Sequence, residues 1–315
     1  MVLAQQNSAV GTAAGALEVL QLRPNFYMIA GAGANVGVQV GSDGVVVVDS
    51  GSAATADAVV AAIRRITERP IRYVINTSAD ADHVGGNETV AKAGRTLFML
   101  NNGALAGLTN GGAAAILSAE RVLMRMSAPT GQASAYPTGA WPTETFESKR
   151  KYMYLNGEGI EVLHQPAAHS DGDAVVFFRR SDVVVAGDII DTTRFPVIDV
   201  AKGGSVQGEI AALNRLVELA IPSVPLVSSP EPGTYVIPGH GYPNDQQDVV
   251  EYRDMVTVVR DRVKNMMASG LSLERIKAAA PTGGYTQRYG ASTGAWTTDM
   301  FVEAVYASLR AEGNK

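Results

Sequence analysis

Two kinds of apolar run alternate along this chain. Short pulses rich in Val and Ile occupy Phe26–Ile29, Val36–Val40, Val45–Val48, Ile71–Ile75, Leu97–Leu100, Val175–Phe178, Val183–Val185 and Tyr235–Ile237. They are too short for stable helices and rich in β-branched residues, which predicts strands. Other stretches space their apolar residues by three or four, as an amphipathic helix does. Val59, Ala62, Ile63 and Ile66 do so within 54–66, and Val249, Tyr252, Val256, Val259, Val263 and Met266 within 249–267. The same spacing predicts helices over 87–93, 208–219, 271–279 and 299–309, with Ser272 as an N-cap. The methionine in the 249–267 stripe reads as core packing.

Turn chemistry connects these elements. Ser42-Asp43-Gly44 predicts a hairpin, as does Asn156-Gly157 between Tyr152–Leu155 and Ile160–His164. Residues 101–125 are rich in Ala and Gly and are expected to be helical in their second half. Residues 127–144 are rich in Pro, Gly and Ser, a loop long enough to be either functional or mobile. Residues 1–22 are expected to form a flexible tail, and 23–315 a single domain whose last part, 245–315, is helical. Strands that alternate with helices place the chain in the α/β class.

Composition narrows the function classes. The 315 residues carry a net charge of −5 with 46% apolar and 18% charged residues, and show no Lys/Arg cluster of the kind nucleic acid requires. No run approaches the roughly 18 consecutive apolar residues of a membrane helix. A small-molecule substrate is therefore the expected partner, without nucleic acid or membrane; the oligomeric state is open. The absence of cysteine removes disulfides, thiolate ligands and a thiol nucleophile together. The start lacks a basic region ahead of its apolar residues. Residues 1–5 read either as the remnant of a signal cleavage site, implying a periplasmic or secreted protein, or as the plain tail of a cytoplasmic one.

The chemistry gathers where strands end. Asp49-Ser50-Gly51, Ser78–Gly86, His169–Asp173, Gly187-Asp188 and Pro238–Gly241 each sit beside an apolar strand, and loops at strand ends of layered α/β folds converge to build sites. Of the four histidines, His83, His169 and His240 lie in these loops, while His164 lies inside a strand and reads as structural. The densest loop runs Asn76-Thr-Ser-Ala-Asp-Ala-Asp-His-Val-Gly-Gly-Asn87, offering Asp80, Asp82 and His83 as oxygen and nitrogen ligands. Ser78 lacks the Gly-x-Ser-x-Gly setting of a serine nucleophile. Gly31–Asn35 lacks the Lys and following helix of a phosphate loop and is expected to overhang the site as a hairpin loop. Tyr136, Trp141 and Phe146 are expected to pin the long loop, the alternative being an apolar wall for substrate.

From about residue 25 to 245, this order of strand-end loops resembles the metallo-β-lactamase superfamily, whose first motif reads His-x-His-x-Asp-His-x-Gly-Gly. Here Ser78 and Asp80 stand in place of the first two histidines. The resemblance implies a four-layer αβ/βα sandwich with a helical C-terminal extension. It also implies a second metal site of Asp82, His83, Asp188 and His240, and a first site of Asp80, His169, the bridging Asp188 and the Ser78 hydroxyl. Asp49, in Asp49-Ser50-Gly51, resembles a recurrent turn of the family and would support the ligands from behind. Two imidazoles and two carboxylates suit Zn²⁺, with Fe²⁺ or Mn²⁺ as alternatives. The first site, poorer in imidazole, should be weaker and should favour Mn²⁺, Fe or Ca²⁺. One tight divalent ion and a partial or absent second one are expected.

The implied activity is hydrolysis of an ester, thioester, lactone or β-lactam by metal-activated water, with Asp82 and Asp80 as the catalytic acids and bases. Two other readings are an iron-bound redox protein, although no flavodoxin-like stretch is recognisable, and a degenerate metal-binding protein without turnover.

Overall fold

Four consecutive valines, 45–48, show how the layers arise. All four are fully buried, yet Val46 and Val48 pack against one neighbour and Val45 and Val47 against another. A strand covered on both faces cannot alternate apolar with polar, so it reads as a continuous apolar run. The computed structural model describes residues 17–97, 112–129, 131–224 and 232–313. The expected strand Leu97–Leu100 lies, but for its first residue, outside the described residues, as do residues 1–5.

The first sheet holds β1 (Glu18–Arg23), β2 (Phe26–Ala30), β3 (Val36–Gly41), β4 (Gly44–Val48), β5 (Ile71–Ile75), β6 (Ala115–Ala119) and β7 (Glu144–Phe146), side by side in chain order. It is antiparallel as far as β4 and parallel from β4 to β7. The second sheet has β8 (Arg150–Leu155), β9 (Glu158–Gln165), β10 (Asp173–Phe178), β11 (Val183–Asp191) and β12 (Tyr235–His240), with only β11 and β12 parallel. Phe26, Met28, Ile75 and Leu117 of the first sheet meet Ile160, Val176, Phe178 and Ile237 of the second in one core.

Helices cover the outer faces. α1 (Ala56–Ile66) and α3 (Asn87–Lys92) cover the first sheet, after the single turn α2 (Ala81–Val84). α4 (Glu120–Met126) follows β6. On the second sheet, Leu213 and Leu216 of α5 (Val206–Leu219), Val256 and Val259 of α6 (Gln246–Ala268), and Phe301 and Val305 of α9 (Thr298–Gly313) share a core with Val175, Val184 and Val236. Met266 packs against it, as the stripe predicts. α7 (Leu273–Ala278), N-capped by Ser272, and α8 (Thr286–Tyr289) complete a helical C-terminal region. The layer order is thus αβ/βα. No helix among the described residues is long and apolar enough to cross a membrane.

Three expectations change. Glu18–Arg23 is not tail but the edge strand β1, paired with β2 from Glu18↔Ala30. Within the described part of 101–125, from 112 onward, Ala115–Ala119 is strand and the helix starts at Glu120; alanine there packs against a parallel partner, so tertiary context overrides propensity. β11 does not stop at Val185 but continues to Asp191. Its pairing moves from Gly187↔Pro238 to Asp191↔His240, so four residues on one strand face two on the other. That bulge, with Gly187 at φ 57°, re-aims Asp188.

Candidate metal centre

The topology brings the strand-end loops together. β4 and β5 are parallel and deliver Asp49 and the 76–87 loop at the same edge. β11 and β12 deliver Asp188 and His240, and the β9–β10 turn carries His169. The sheets are stitched here by the Ala174 N–H, which donates to the Thr77 carbonyl (2.8 Å). Asn76 and Asn87, first and last residues of the loop, are fully buried and exchange reciprocal amide hydrogen bonds of 2.9 and 2.8 Å.

Two groups of donor atoms result. Asp82, His83 and His240 form one, and Asp80, His169 and Asp188 the other, each with its ligand atoms within 4.8 Å of one another. Asp188 touches both: Oδ1 lies 3.1 Å from His83 Nε2 and 3.5 Å from His240 Nε2, and Oδ2 lies 4.0 Å from His169 Nε2. Asp82 Oδ2 is 3.1 Å from His240 Nε2. Every acidic and imidazole ligand expected from the sequence is therefore in the cluster.

The tautomers suit metal binding. Asp49, held at φ 61°, accepts the His83 Nδ1 proton on Oδ2 (2.8 Å), while the Thr77 N–H and hydroxyl occupy its remaining lone pairs (2.8 and 2.6 Å). This leaves His83 Nε2 buried and facing the clusters, 3.1 Å from Asp188 Oδ1 but without a hydrogen bond of good geometry. A buried polar atom so poorly matched is costly unless a ligand completes it. His169 is oriented likewise, its Nδ1 donating to the Val197 carbonyl (2.9 Å), so that Nε2 faces the cluster. Fixing the far nitrogen in this way is how proteins prepare a metal-binding imidazole.

The charges point the same way. Burial opposes a charge on His83, yet Asp188 and Asp49 outweigh it and raise its pKa well above the imidazole range. Burial likewise opposes a charge on His169, but Asp80, Asp188 and Asp173 lift its pKa to about 10. Asp188 and Asp80 are held below the carboxylate range despite burial, Asp188 by His83, His169 and His240, and Asp80 by His169 and Lys202. So much clustered carboxylate calls for a cation, and a divalent ion would let the imidazoles serve as neutral ligands.

The remaining expectations resolve structurally. Ser78 is buried, and its Oγ accepts the Asp80 N–H (3.2 Å). His164 Nε2 bonds the Asp171 carbonyl (2.8 Å), a structural role. Gly31–Asn35 clasps two of the site's loops, with the Ala34 N–H on the Asp82 carbonyl (3.2 Å) and the Asn35 N–H on that of Gly239 (2.8 Å). Tyr136 donates to the Ala79 carbonyl (3.1 Å), Trp141 Nε1 to that of Tyr136 (3.0 Å), and Phe146 is core, so all three pin the loop.

Sequence reasoning missed Lys202, Asp199 and Arg194. Lys202 Nζ lies 3.0 Å from Asp80 Oδ1 and 3.0 Å from Asp199 Oδ2. Arg194 pairs with Asp191 (2.5 Å) close enough to feel the charges of Asp188 and Asp82. No motif marks these residues; only the pattern of charged residues after a strand end could have hinted at them.

Behind the His169 loop, α5 packs so closely that a Cβ at Gly208 would sit 1.8 Å from the Ala167 carbonyl. The adjacent Glu209 is fully buried, with neither carboxyl oxygen hydrogen-bonded. Burial, then Asp173, pushes its pKa well above the usual 4.5. The folded state therefore keeps a proton that the unfolded chain loses, and stability from this group declines as pH rises above about 4.5. Glu209→Gln, isosteric with the protonated acid, should flatten this decline. Thermal melts of both proteins from acid to neutral pH should diverge in favour of the variant; parallel profiles would refute the assignment.

Comparison with known proteins agrees with this arrangement. The metallo-β-lactamase superfamily model matches residues 30–224. A curated relative, the linear primary-alkylsulfatase of Pseudomonas sp. (strain ATCC 19151), is 22% identical over 274 residues, covering 78% of this chain and 50% of the relative. Among solved structures, the stereoselective inverting sec-alkylsulfatase Pisa1 from Pseudomonas sp. aligns at 16% identity with a TM-score of 0.63, covering 92% of this chain and 50% of the other. A metallo-β-lactamase from Pontibacter korlensis aligns at 16% identity with a TM-score of 0.54, covering 76% and 99%. The chain spans about half the length of the alkylsulfatases it matches. The chain belongs to the metallo-β-lactamase superfamily.

Proposed function

We propose that this protein hydrolyses ester-type substrates with one divalent cation held by Asp82, His83, Asp188 and His240, and that organic sulfate esters are its first substrate class. The observation that carries the reading is the buried Nε2 of His83, turned by Asp49 toward Asp188 and 3.1 Å from it without a hydrogen bond of good geometry. A divalent cation bound there would act as a Lewis acid and lower the pKa of water toward neutrality. Zn²⁺ suits the two imidazoles and two carboxylates, and Fe²⁺ or Mn²⁺ would also fit.

The chain's own residues supply the rest. Asp82, with 38% of its side chain exposed, is the most open carboxylate of the two clusters and can orient a water and accept its proton. Asp80 has both oxygens engaged, by His169 and Lys202, and serves as a fixed negative charge rather than as a proton acceptor. Ser78 and Asp80, read as replacements for the family's first two histidines, make the first cluster the weaker metal site. A sulfate monoester keeps a negative charge, and two cations stand near the clusters to meet it: Lys202, on Asp80, and Arg194, on Asp191 within reach of the charges of Asp188 and Asp82. The alkylsulfatases among the similar proteins support the same class.

Protein purified without added metal should carry one equivalent of a divalent ion by elemental analysis and should turn over an alkyl or aryl sulfate faster than matched carboxylic esters, thioesters, lactones and β-lactams. No tightly held metal, or no turnover across that panel, would sink the proposal. Faster turnover of a carboxylic substrate would move the substrate class and leave the metal centre standing.

A further inference from the structure

We infer that Lys202 provides the cation of the first cluster, so that its ammonium excludes a metal ion there and restricts the protein to a single-metal centre. The inference rests on the metal-centre reading above and adds a reason for the stoichiometry.

The two clusters differ in what faces their carboxylates. In the second, imidazoles do: His83 Nε2 lies 3.1 Å from Asp188 Oδ1, and His240 Nε2 lies 3.1 Å from Asp82 Oδ2. In the first, Asp80 Oδ2 is 2.7 Å from His169 Nε2, and Asp80 Oδ1 is 3.0 Å from Lys202 Nζ. The Ser78 hydroxyl there accepts the Asp80 N–H.

Lys202 is built into this position from both sides. Its ammonium is shared with Asp199 Oδ2 at 3.0 Å, and its own N–H donates to Asp199 Oδ1 at 3.0 Å, closing the single 3₁₀ turn Val200–Lys202. The Asp199 N–H in turn donates to the His169 carbonyl (2.8 Å), so the lysine turn and the histidine loop move as one unit. On the far side, the Lys202 carbonyl accepts from Arg125 (2.7 Å) and from the Asp171 N–H (3.0 Å). A main chain anchored at both faces confines where the four-carbon stem can reach.

The charges make the choice exclusive. Asp188 is shared with the second cluster, so Asp80 is the one full carboxylate that the first cluster has to itself, and an ammonium already lies against it. A divalent ion among the same ligands would lie within a few ångströms of that ammonium and be repelled by it at short range. An ammonium has no vacant orbital and cannot replace a Lewis acid, but it can hold negative charge.

The experiment counts metal. Wild type, Lys202→Met and Lys202→Arg are incubated with excess Zn²⁺ or Mn²⁺, freed of loose ions by gel filtration and analysed by elemental mass spectrometry. The expected result is one equivalent in wild type and in Lys202→Arg, and two in Lys202→Met, where the two Mn²⁺ ions should also show exchange coupling by electron paramagnetic resonance. Lys202 is 41% exposed at its side chain, so the substitution leaves the core alone; Lys202→Gln is a second neutral variant should the first be unstable. Two equivalents in wild type, or one in both neutral variants, would overturn the role of Lys202 and leave the metal centre intact. No bound metal in wild type would overturn both.

Discussion

Asp188→Asn is expected to abolish metal retention and to lower kcat/KM by about a thousandfold, since a Lewis acid is worth several kcal/mol at the transition state and about 4 kcal/mol corresponds to that factor. The effect is large because Asp188 reaches both clusters, with Oδ1 at 3.1 and 3.5 Å from His83 and His240 and Oδ2 at 4.0 Å from His169. Asparagine keeps the shape but removes the charge, and its NH₂ would point a donor where a cation must sit. The bulge that aims the side chain is a backbone feature and survives the change. The variant should therefore fold, with wild-type circular dichroism, while elemental analysis finds no tightly held ion. Retention of metal and rate together would remove Asp188 from the ligand set.

Asp49→Asn tests the support behind the metal. Asp49 is 1% exposed and spends its acceptor capacity on donors only: the Thr77 N–H, the Thr77 hydroxyl and the His83 Nδ1–H. An amide in the same place must turn its NH₂ toward one of these donors, either freeing the His83 ring or flipping its tautomer so that Nε2 carries the proton. Loss of such an outer partner typically costs about 10–100-fold in metal affinity. Asparagine tolerates the left-handed backbone at φ 61°, which separates the side-chain effect from backbone strain. The measurement is a competitive chelator titration of both proteins. Equal affinities would show that Asp49 only closes the β4 turn.

Much of this was legible in the chain. The valine runs declared strands buried on both faces, and the three-to-four spacing declared the covering helices. Polar residues clustered at strand ends showed where the site would lie, because strand-end loops are where an α/β fold exposes convergent side chains. Three elements were not legible for physical reasons. β1 is an edge strand with a mostly exposed face, so its apolar signal is diluted. β6, with alanine at both ends, owes its state to pairing with β5 rather than to its own propensity. The extension of β11 beyond Val185 depends on a bulge, and pairing register is a property of two strands at once.

The site divides in the same way. Residue type alone determined which side chains could bind a metal: Asp80, Asp82, His83, His169, Asp188 and His240 were all recognisable by their chemistry and their place beside strands. Only the tertiary structure decided how those ligands are occupied. The inward-facing Nε2 of His83 depends on Asp49, 34 positions away, and the ammonium on Asp80 comes from Lys202, 122 positions away. Short-range sequence patterns record backbone preference and burial. A hydrogen bond or ion pair across such separations exists only once the sheets have closed and the loops have met.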